Sequence, residues 1–107
     1  MKVLFHVVEL DKWEATLSNA RDILQNDDDA VIEVIVMSKA ASLFGGYSGY
    51  NFEGLFGNPR IRFTIGETAL QENNLDKNML PNGIFIEKSA ITKMARLQNE
   101  GYAYIRL

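Results

Sequence analysis

The sequence predicts a three-layer α/β/α sandwich built on a mainly parallel five-stranded sheet, in the manner of Rossmann and flavodoxin folds. Short runs of Val, Ile, Leu and Phe alternate along the chain with segments whose apolar residues recur at helical spacing. The runs are nearly continuous in apolar residues, as in parallel strands buried on both faces. At 107 residues the chain has the usual length of one domain, so residues 1–107 are expected to form a single domain.

The predicted strands are short apolar segments bounded by turn residues. In chain order they cover residues 2–9, 30–37, 60–65, 83–87 and 102–107. The second segment, AVIEVIVM, is the richest in β-branched residues, which favour strands. Strand order is not predicted by these patterns.

The first predicted helix begins at Asp11, because Glu14 follows three residues later in the spacing of a capping box. Its apolar residues recur at helical spacing and predict a single buried stripe: Trp13, Leu17, Ala20 and Leu24. The acidic residues 27–29 are expected to form a solvated turn after this helix.

Four further helical segments are predicted, three of them from capping residues. Ser38 is expected to cap a short helix that ends at Gly45, and residues 67–73 form another. Asp76 is expected to cap a turn within residues 75–80. Ser89 is expected to cap a helix that ends at Gly101. The residues of this last helix predicted to face inward are Ile91, Met94, Ala95 and Leu97.

Residues 45–59, GGYSGYNFEGLFGNP, are expected to form a long loop, since they hold five of the eight glycines. Aromatic residues in and beside this loop are expected either to cover a binding crevice or to contact another copy of the chain: Phe44, Tyr47, Tyr50, Phe52 and Phe56. The exposed aromatic loop favours a homo-oligomer.

Composition excludes several classes of function. The chain has no cysteine, which removes disulfides, thiolate metal sites and thiol nucleophiles, and its one histidine leaves no multi-His metal site.

No nucleic-acid binding is expected, because the net charge is −3 and no basic stripe occurs. No membrane span, cofactor or metal is expected. The first strand is followed by ELDKWE and not by a glycine-rich dinucleotide motif. A cytoplasmic protein is expected, because the opening residues lack a signal-peptide cleavage pattern.

The carboxyl ends of parallel strands meet at one edge of a sheet, where ligands usually bind. This rule predicts a crevice around residues 9–11, 37–39, 66–68 and 87–89. A bound anion at the amides of residues 66–68 would favour non-covalent binding over the other functions. The candidate ligand-binding residues are Ser38, Lys39, Gly66, Glu67 and Thr68.

Glu9, Glu67 and His6 are the candidates for catalysis. Paired carboxylates can perform acid–base chemistry when burial raises the pKa of one of them. The alternative is structural, since carboxylates are ordinary near helix N-termini and a strand histidine commonly lies hydrogen-bonded in a core. The sequence leaves both interpretations open.

Several segments resemble the small DsrE/DsrF-like proteins. They are DKW at 11–13, LSNAR at 17–21, the turn from 74 to 84, and ARLQNEGYAYI at 95–105. The resemblance covers most of the chain outside the 45–58 loop. It implies an α/β sandwich, a homo-oligomer such as a trimer or hexamer, and a role in intracellular sulfur trafficking with a sulfur-relay protein as a partner.

Many DsrE/DsrF-like relatives carry a cysteine at the position that Gly66 occupies here. A thiol at a helix N-terminus has a lowered pKa, which suits it to carry a persulfide. Without cysteine, sulfur transfer of that type is impossible. If the pocket persists, a Gly66→Cys variant is expected to fold and expose a reactive thiol, unless Gly66 has a positive φ. Three functions remain open: non-covalent binding of a small molecule, anion or protein, thiol-independent catalysis, or a structural or regulatory subunit.

Overall fold

The computed structural model describes residues 1–45, 52 and 54–107. The strands are β1 (Lys2–Val7), β2 (Val31–Val36), β3 (Ile61–Gly66), β4 (Ile84–Glu87) and β5 (Ala103–Ile105). The α-helices are α1 (Trp13–Asn26), α2 (Glu67–Glu72) and α3 (Ala90–Asn99). Short 3₁₀ helices cover Leu10–Lys12, Ser38–Gly45 and Lys77–Met79.

The five strands form one sheet in the order β4-β3-β2-β1-β5, and every pairing is parallel. The chain builds the sheet outward from β1 to β4, and α3 then carries it back to β5 beside β1. An all-parallel sheet between helical layers confirms the α/β sandwich predicted from the sequence. No helix among the described residues is both long and apolar enough to span a membrane.

One face of the sheet, called the α1 face, is covered by α1, α2 and the 3₁₀ helix Ser38–Gly45. Trp13 lies at the centre of this layer with no exposed surface. Its indole Nε1 donates a hydrogen bond of 2.8 Å to the carbonyl oxygen of Ala40, and its ring contacts Phe44 edge-on at 5.6 Å between centroids. This bond ties the start of α1 to the segment that follows β2.

Aromatic residues from the predicted loop belong to the same core. Phe52 stacks on Phe56 with centroids 4.5 Å apart, and Phe56 contacts Phe63 of β3 at 5.0 Å. The expectation of an exposed aromatic surface is therefore wrong for Phe52 and Phe56, because both are partly buried against the core and packing on Phe63 removes part of their apolar area from water. Tyr47 and Tyr50 lie outside the described residues.

The opposite face, called the α3 face, is covered within the described chain by α3 alone. Leu4 of β1 and Ile35 of β2 pack there in a smaller core with three residues of α3: Ala90, Met94 and Leu97. The prediction that Ile91 and Ala95 also face inward is wrong. Ile91 is 61% exposed and Ala95 is exposed as well, since the buried stripe of α3 follows residues 90, 94 and 97.

Of the four predicted caps, those at Ser89 and Asp76 are confirmed, whereas those at Asp11 and Ser38 are wrong. The Ser89 hydroxyl accepts a hydrogen bond from the Thr92 amide, and the Asp76 carboxylate accepts one from the Asn78 amide. The capping box at Asp11 does not form. Asp11 lies within a 3₁₀ turn, and α1 begins only at Trp13, without a side-chain cap.

A buried carboxylate lies under α3. Glu33 of β2 is 5% exposed, and its oxygens lie 3.7 Å from the Lys93 ammonium and 3.4 Å from the Thr64 hydroxyl, which donates to it. Burial raises the pKa of Glu33 above its ordinary value of 4.5, and the charges of Lys93 and Arg62 offset only part of that increase. The α3 face thus contains a carboxyl group, Glu33, whose negative charge is only partly stabilised by its neighbours.

We predict that Glu33→Gln stabilises the protein increasingly as the pH rises. Below the ordinary pKa of 4.5, Glu33 is protonated in both the folded and unfolded states, so its charge has no effect on stability. Above pH 4.5 Glu33 ionises more readily in the unfolded state than in the folded state. The wild type therefore loses stability as the pH rises, until the pH passes the folded-state pKa. The free energy of unfolding, measured in urea between about pH 4 and pH 8, gives the difference between variant and wild type at each pH.

Glu87→Gln is the matched control, because Glu87 is the second carboxylate near Lys93, at 3.9 Å, and its side chain is 37% exposed. Its effect on stability is expected to change little over the same pH range. A stability difference for Glu33→Gln that stays constant or falls with rising pH would contradict the assignment.

Candidate functional site

A pocket of about 260 Å³ opens at the carboxyl ends of β2, β3 and β4, between the first turns of α2 and α3. This is the edge at which the parallel arrangement predicts ligand binding. The residues that line the pocket are Met37, Ser38, Gly66, Thr68, Ala69, Glu72, Lys88, Ser89, Ala90 and Ile91.

The structure brings together three of the five ligand-binding candidates. Ser38, Gly66 and Thr68 line the pocket, whereas Lys39 and Glu67 are exposed and do not line it. The strand ends explain the first group, since β2 and β3 are neighbours in the sheet. Lys39 and Glu67 each lie next to a lining residue in sequence but do not contribute to the walls.

Ser38 forms one wall with an unusual backbone conformation. Its φ is 52°, in the left-handed region that non-glycine residues seldom occupy. The Asn73 side chain, just after α2, donates hydrogen bonds to the carbonyl oxygens of Ser38 at 2.8 Å and of Ala69 at 2.9 Å. Asn73 therefore holds the Ser38 backbone in place. Ser38 was expected to be a helix cap, and it is instead the first residue of a 3₁₀ helix with positive φ.

Gly66 is buried at the end of β3, and its backbone is extended, with φ −89° and ψ 157°. A positive φ is therefore not the reason for glycine here. A Cβ placed on Gly66 would lie 2.9 Å from the Ala90 Cβ and 3.0 Å from the Ala90 backbone nitrogen. Glycine is required because the first turn of α3 packs directly on the end of the strand.

The polar groups around the pocket differ in how freely they can reach a ligand. The Ser89 hydroxyl accepts from the Thr92 amide at 3.2 Å and donates to the Thr92 hydroxyl at 2.9 Å, so it serves the cap of α3. Thr68, Glu72 and Lys88 are exposed at the rim. The Lys88 ammonium and the Glu72 carboxylate thus lie at the opening of a pocket whose walls are mainly apolar.

None of the three catalytic candidates lines this pocket. Glu9 lies after β1, and its carboxylate accepts from the Arg106 guanidinium at 3.4 Å on the surface. Glu67 is exposed in the first turn of α2. His6 lies within β1 on the α3 face. The structure therefore does not assemble these side chains into an acid–base pair at the crevice.

His6 contacts two side chains that the sequence interpretation missed. Its Nδ1 lies 2.8 Å from the Tyr104 hydroxyl and its Nε2 lies 3.1 Å from the Met37 sulfur. Burial, and then the charge of Arg106, lowers the pKa of His6 below its ordinary value of 6.5. The imidazole is therefore neutral at pH 7. Met37 also lines the pocket, so His6 lies directly behind its wall.

Among the described residues, no three His, Asp or Glu side chains converge as metal ligands. The pocket itself offers hydroxyls, one carboxylate and one ammonium. Hard divalent cations prefer several oxygen ligands, which one carboxylate does not supply. The pocket is better suited to an organic ligand than to a metal.

The fold is similar to a solved structure of a protein of unknown function from Methanobacterium thermoautotrophicum. The two chains are 27% identical, with a TM-score of 0.83, over 99% of this chain and 98% of the other. No protein-family model matches the sequence, and no curated protein matches it significantly. The similarity therefore concerns the α/β fold over almost the full length of both chains.

We predict that Gly66→Ala destabilises the protein by about 1–3 kcal/mol, the usual cost of overpacking a core. The new Cβ would collide with Ala90, and the backbone of α3 must move to admit it. Gly66→Cys is expected to lose at least as much stability, and its thiol to react slowly because it is enclosed by α3. The earlier expectation of an exposed, reactive thiol is replaced by this one. Urea unfolding and alkylation kinetics provide the two measurements.

The matched comparison is Gly66→Ala in an Ala90→Gly background, where the closest contact is removed. The cost of Gly66→Ala is expected to be smaller there than in the wild type. Equal costs in both backgrounds would show that the Ala90 Cβ is not what requires glycine at position 66.

Proposed function

We propose that the protein binds a small organic ligand non-covalently in the pocket at the ends of β2, β3 and β4. The main support is the Ser38 backbone, which has φ 52° at the pocket wall and is held there by Asn73. Such a conformation costs on the order of 1 kcal/mol and persists at functional sites where the surroundings enforce it.

The lining favours a ligand with an apolar body and one anionic group. Met37, Ala69, Ala90 and Ile91 supply apolar surface, and Lys88 supplies the only cation of the lining residues. A volume of about 260 Å³ accommodates a small metabolite and not a dinucleotide. Glu72 at the same rim disfavours ligands with several negative charges.

A relation to DsrE/DsrF-like sulfur-trafficking proteins is part of the same proposal, supported by the sequence resemblance and consistent with the α/β sandwich. In that setting the protein would bind a small molecule, an anion or a sulfur-relay protein without carrying sulfur itself, because it has no cysteine. Thiol-independent catalysis by Glu9 or Glu67 is the weaker alternative, since neither residue lines the pocket. A purely structural or regulatory subunit is the third possibility.

We predict that benzoate, used as a probe with an apolar ring and one carboxylate, binds in this pocket. Titrations followed by amide chemical shifts are expected to move signals of Ser38, Gly66 and Ala90. Lys88→Gln is expected to weaken benzoate binding about five-fold, equivalent to about 1 kcal/mol for an exposed charge pair. It should leave the affinity for uncharged benzyl alcohol unchanged.

Thr68→Trp is expected to abolish binding of both probes by filling the pocket from an exposed position. Gln71→Trp, an exposed residue of the same helix that does not line the pocket, is the matched control. Equal loss of binding in both variants, or shifts distributed away from the pocket, would contradict the proposed site.

A homo-oligomer is the second part of the proposal, and the edge strand β4 supports it. Phe85 and Ile86 of β4 are 48% and 39% exposed, and β4 has a neighbour on one side only. Unpaired edge strands with apolar side chains favour pairing with another chain. A trimer or hexamer is the form that the DsrE/DsrF-like resemblance implies.

We predict that light scattering at micromolar concentration gives a mass several times the 12.1 kDa of one chain. Phe85→Ser is expected to shift the assembly toward the single-chain mass, because it removes apolar surface from the exposed edge. Met79→Ser is the control, since Met79 is 78% exposed but lies outside β4. A wild-type mass equal to one chain would refute the oligomer.

A further inference from the structure

We propose that the His6–Met37 pair is a binding site for a soft monovalent metal ion of the Cu(I) class. The imidazole Nε2 and the thioether sulfur lie 3.1 Å apart, although they come from different strands. The soft thioether sulfur selects Cu(I) over harder ions, and imidazole is a common ligand of copper as well. The site goes beyond the proposed ligand pocket and does not depend on its occupant.

The two donors must move apart to hold an ion. Metal bonds of about 2.0 Å to nitrogen and 2.3 Å to sulfur separate the donors by roughly 3.7 Å at an angle near 120°, and by roughly 4.3 Å in the linear arrangement that two-coordinate Cu(I) and Ag(I) favour. The observed 3.1 Å is shorter by an amount that a change of the Met37 rotamer can supply. Met37 is half-buried, and methionine side chains are flexible, so this opening needs no movement of the backbone.

Tyr104 completes the arrangement around the ring. Its hydroxyl lies 2.8 Å from Nδ1 of His6. When Nδ1–H donates to that hydroxyl, the lone pair of Nε2 points toward Met37 and is available to a metal. Metal-bound histidines generally have such a partner on the other ring nitrogen, which fixes the tautomer and the ring orientation. Tyr104 is thus a positioning residue for the ligand His6.

The charge of Arg106 opposes a doubly charged ion beside His6 more strongly than a singly charged one. Arg106 is close enough to His6 to disfavour positive charge on the ring, and Glu9 offsets part of that charge through its ion pair with Arg106. No carboxylate is among the side chains that contact His6 in the described chain. A divalent ion would meet the same repulsion with twice the charge and without an oxygen ligand, so Zn²⁺ is expected to bind far more weakly.

The test uses Ag(I) as a redox-stable probe for this class of ion, added to the full chain at neutral pH. His6 is the only histidine and the chain has four methionines, so the imidazole signals and the methionine methyl signals report the site directly. One equivalent of Ag(I) is expected to shift the His6 and Met37 signals together. Zn(II) at the same concentration should not shift them.

Met37→Leu is the main variant, because it removes the sulfur and nearly keeps the volume, and it is expected to weaken Ag(I) binding at least ten-fold. Met94→Leu is the matched control, since Met94 belongs to the same α3-face core but does not contact His6 in the described structure. It should leave the affinity unchanged. His6→Gln should abolish binding, and the methionine variants keep the test decisive if that variant does not fold.

Two results would overturn the proposal. The first is equal Ag(I) affinity in the wild type and in Met37→Leu. The second is a shift confined to the methyl groups of Met1 or Met79, which are 63% and 78% exposed and would bind silver only as free surface thioethers.

Discussion

The sheet has two faces to cover, and on one of them the described chain provides only α3. A parallel sheet is stable when both faces are shielded from water, so this one helix must pack as closely as the backbone allows. At its start, Ala90 approaches the end of β3 so nearly that only glycine fits at position 66. Further along, Lys93 lies over the Glu33 carboxylate. Both features follow from the position of the same helix.

One helix cannot cover five strands, so side chains at both edges of the α3 face remain partly exposed. On the β1–β5 side, His6 and Tyr104 remain partly exposed and bond to each other. On the β3–β4 side, the Arg62 guanidinium lies 4.3 Å from the centroid of the Phe85 ring. Such cation–π contacts shield an aromatic ring without burying it. The proposed metal site and the proposed oligomer surface lie on these opposite flanks.

The fold class and part of the site could be predicted because they depend on local patterns. Apolar runs and helical stripes determine the sandwich, and adjacent strand ends determine that Ser38, Gly66 and Thr68 meet. The His6 cluster could not be predicted, since it requires the strand order that pairs β1 with both β2 and β5. Glu33 was available as a signal, because a lone carboxylate inside the apolar run AVIEVIVM is a buried polar group that needs partners.

Gly66 determines how closely α3 approaches the pocket. A cysteine at this position needs space for a Cβ and a sulfur, and the 2.9 Å approach of Ala90 leaves space for neither. The close packing of α3 therefore excludes a side chain at position 66. With α3 in this position, Ala90 and Ile91 become walls of the pocket opposite Ser38. The first turn of α3 fills the space beside Gly66, and the pocket lies between this turn, the first turn of α2 and Ser38.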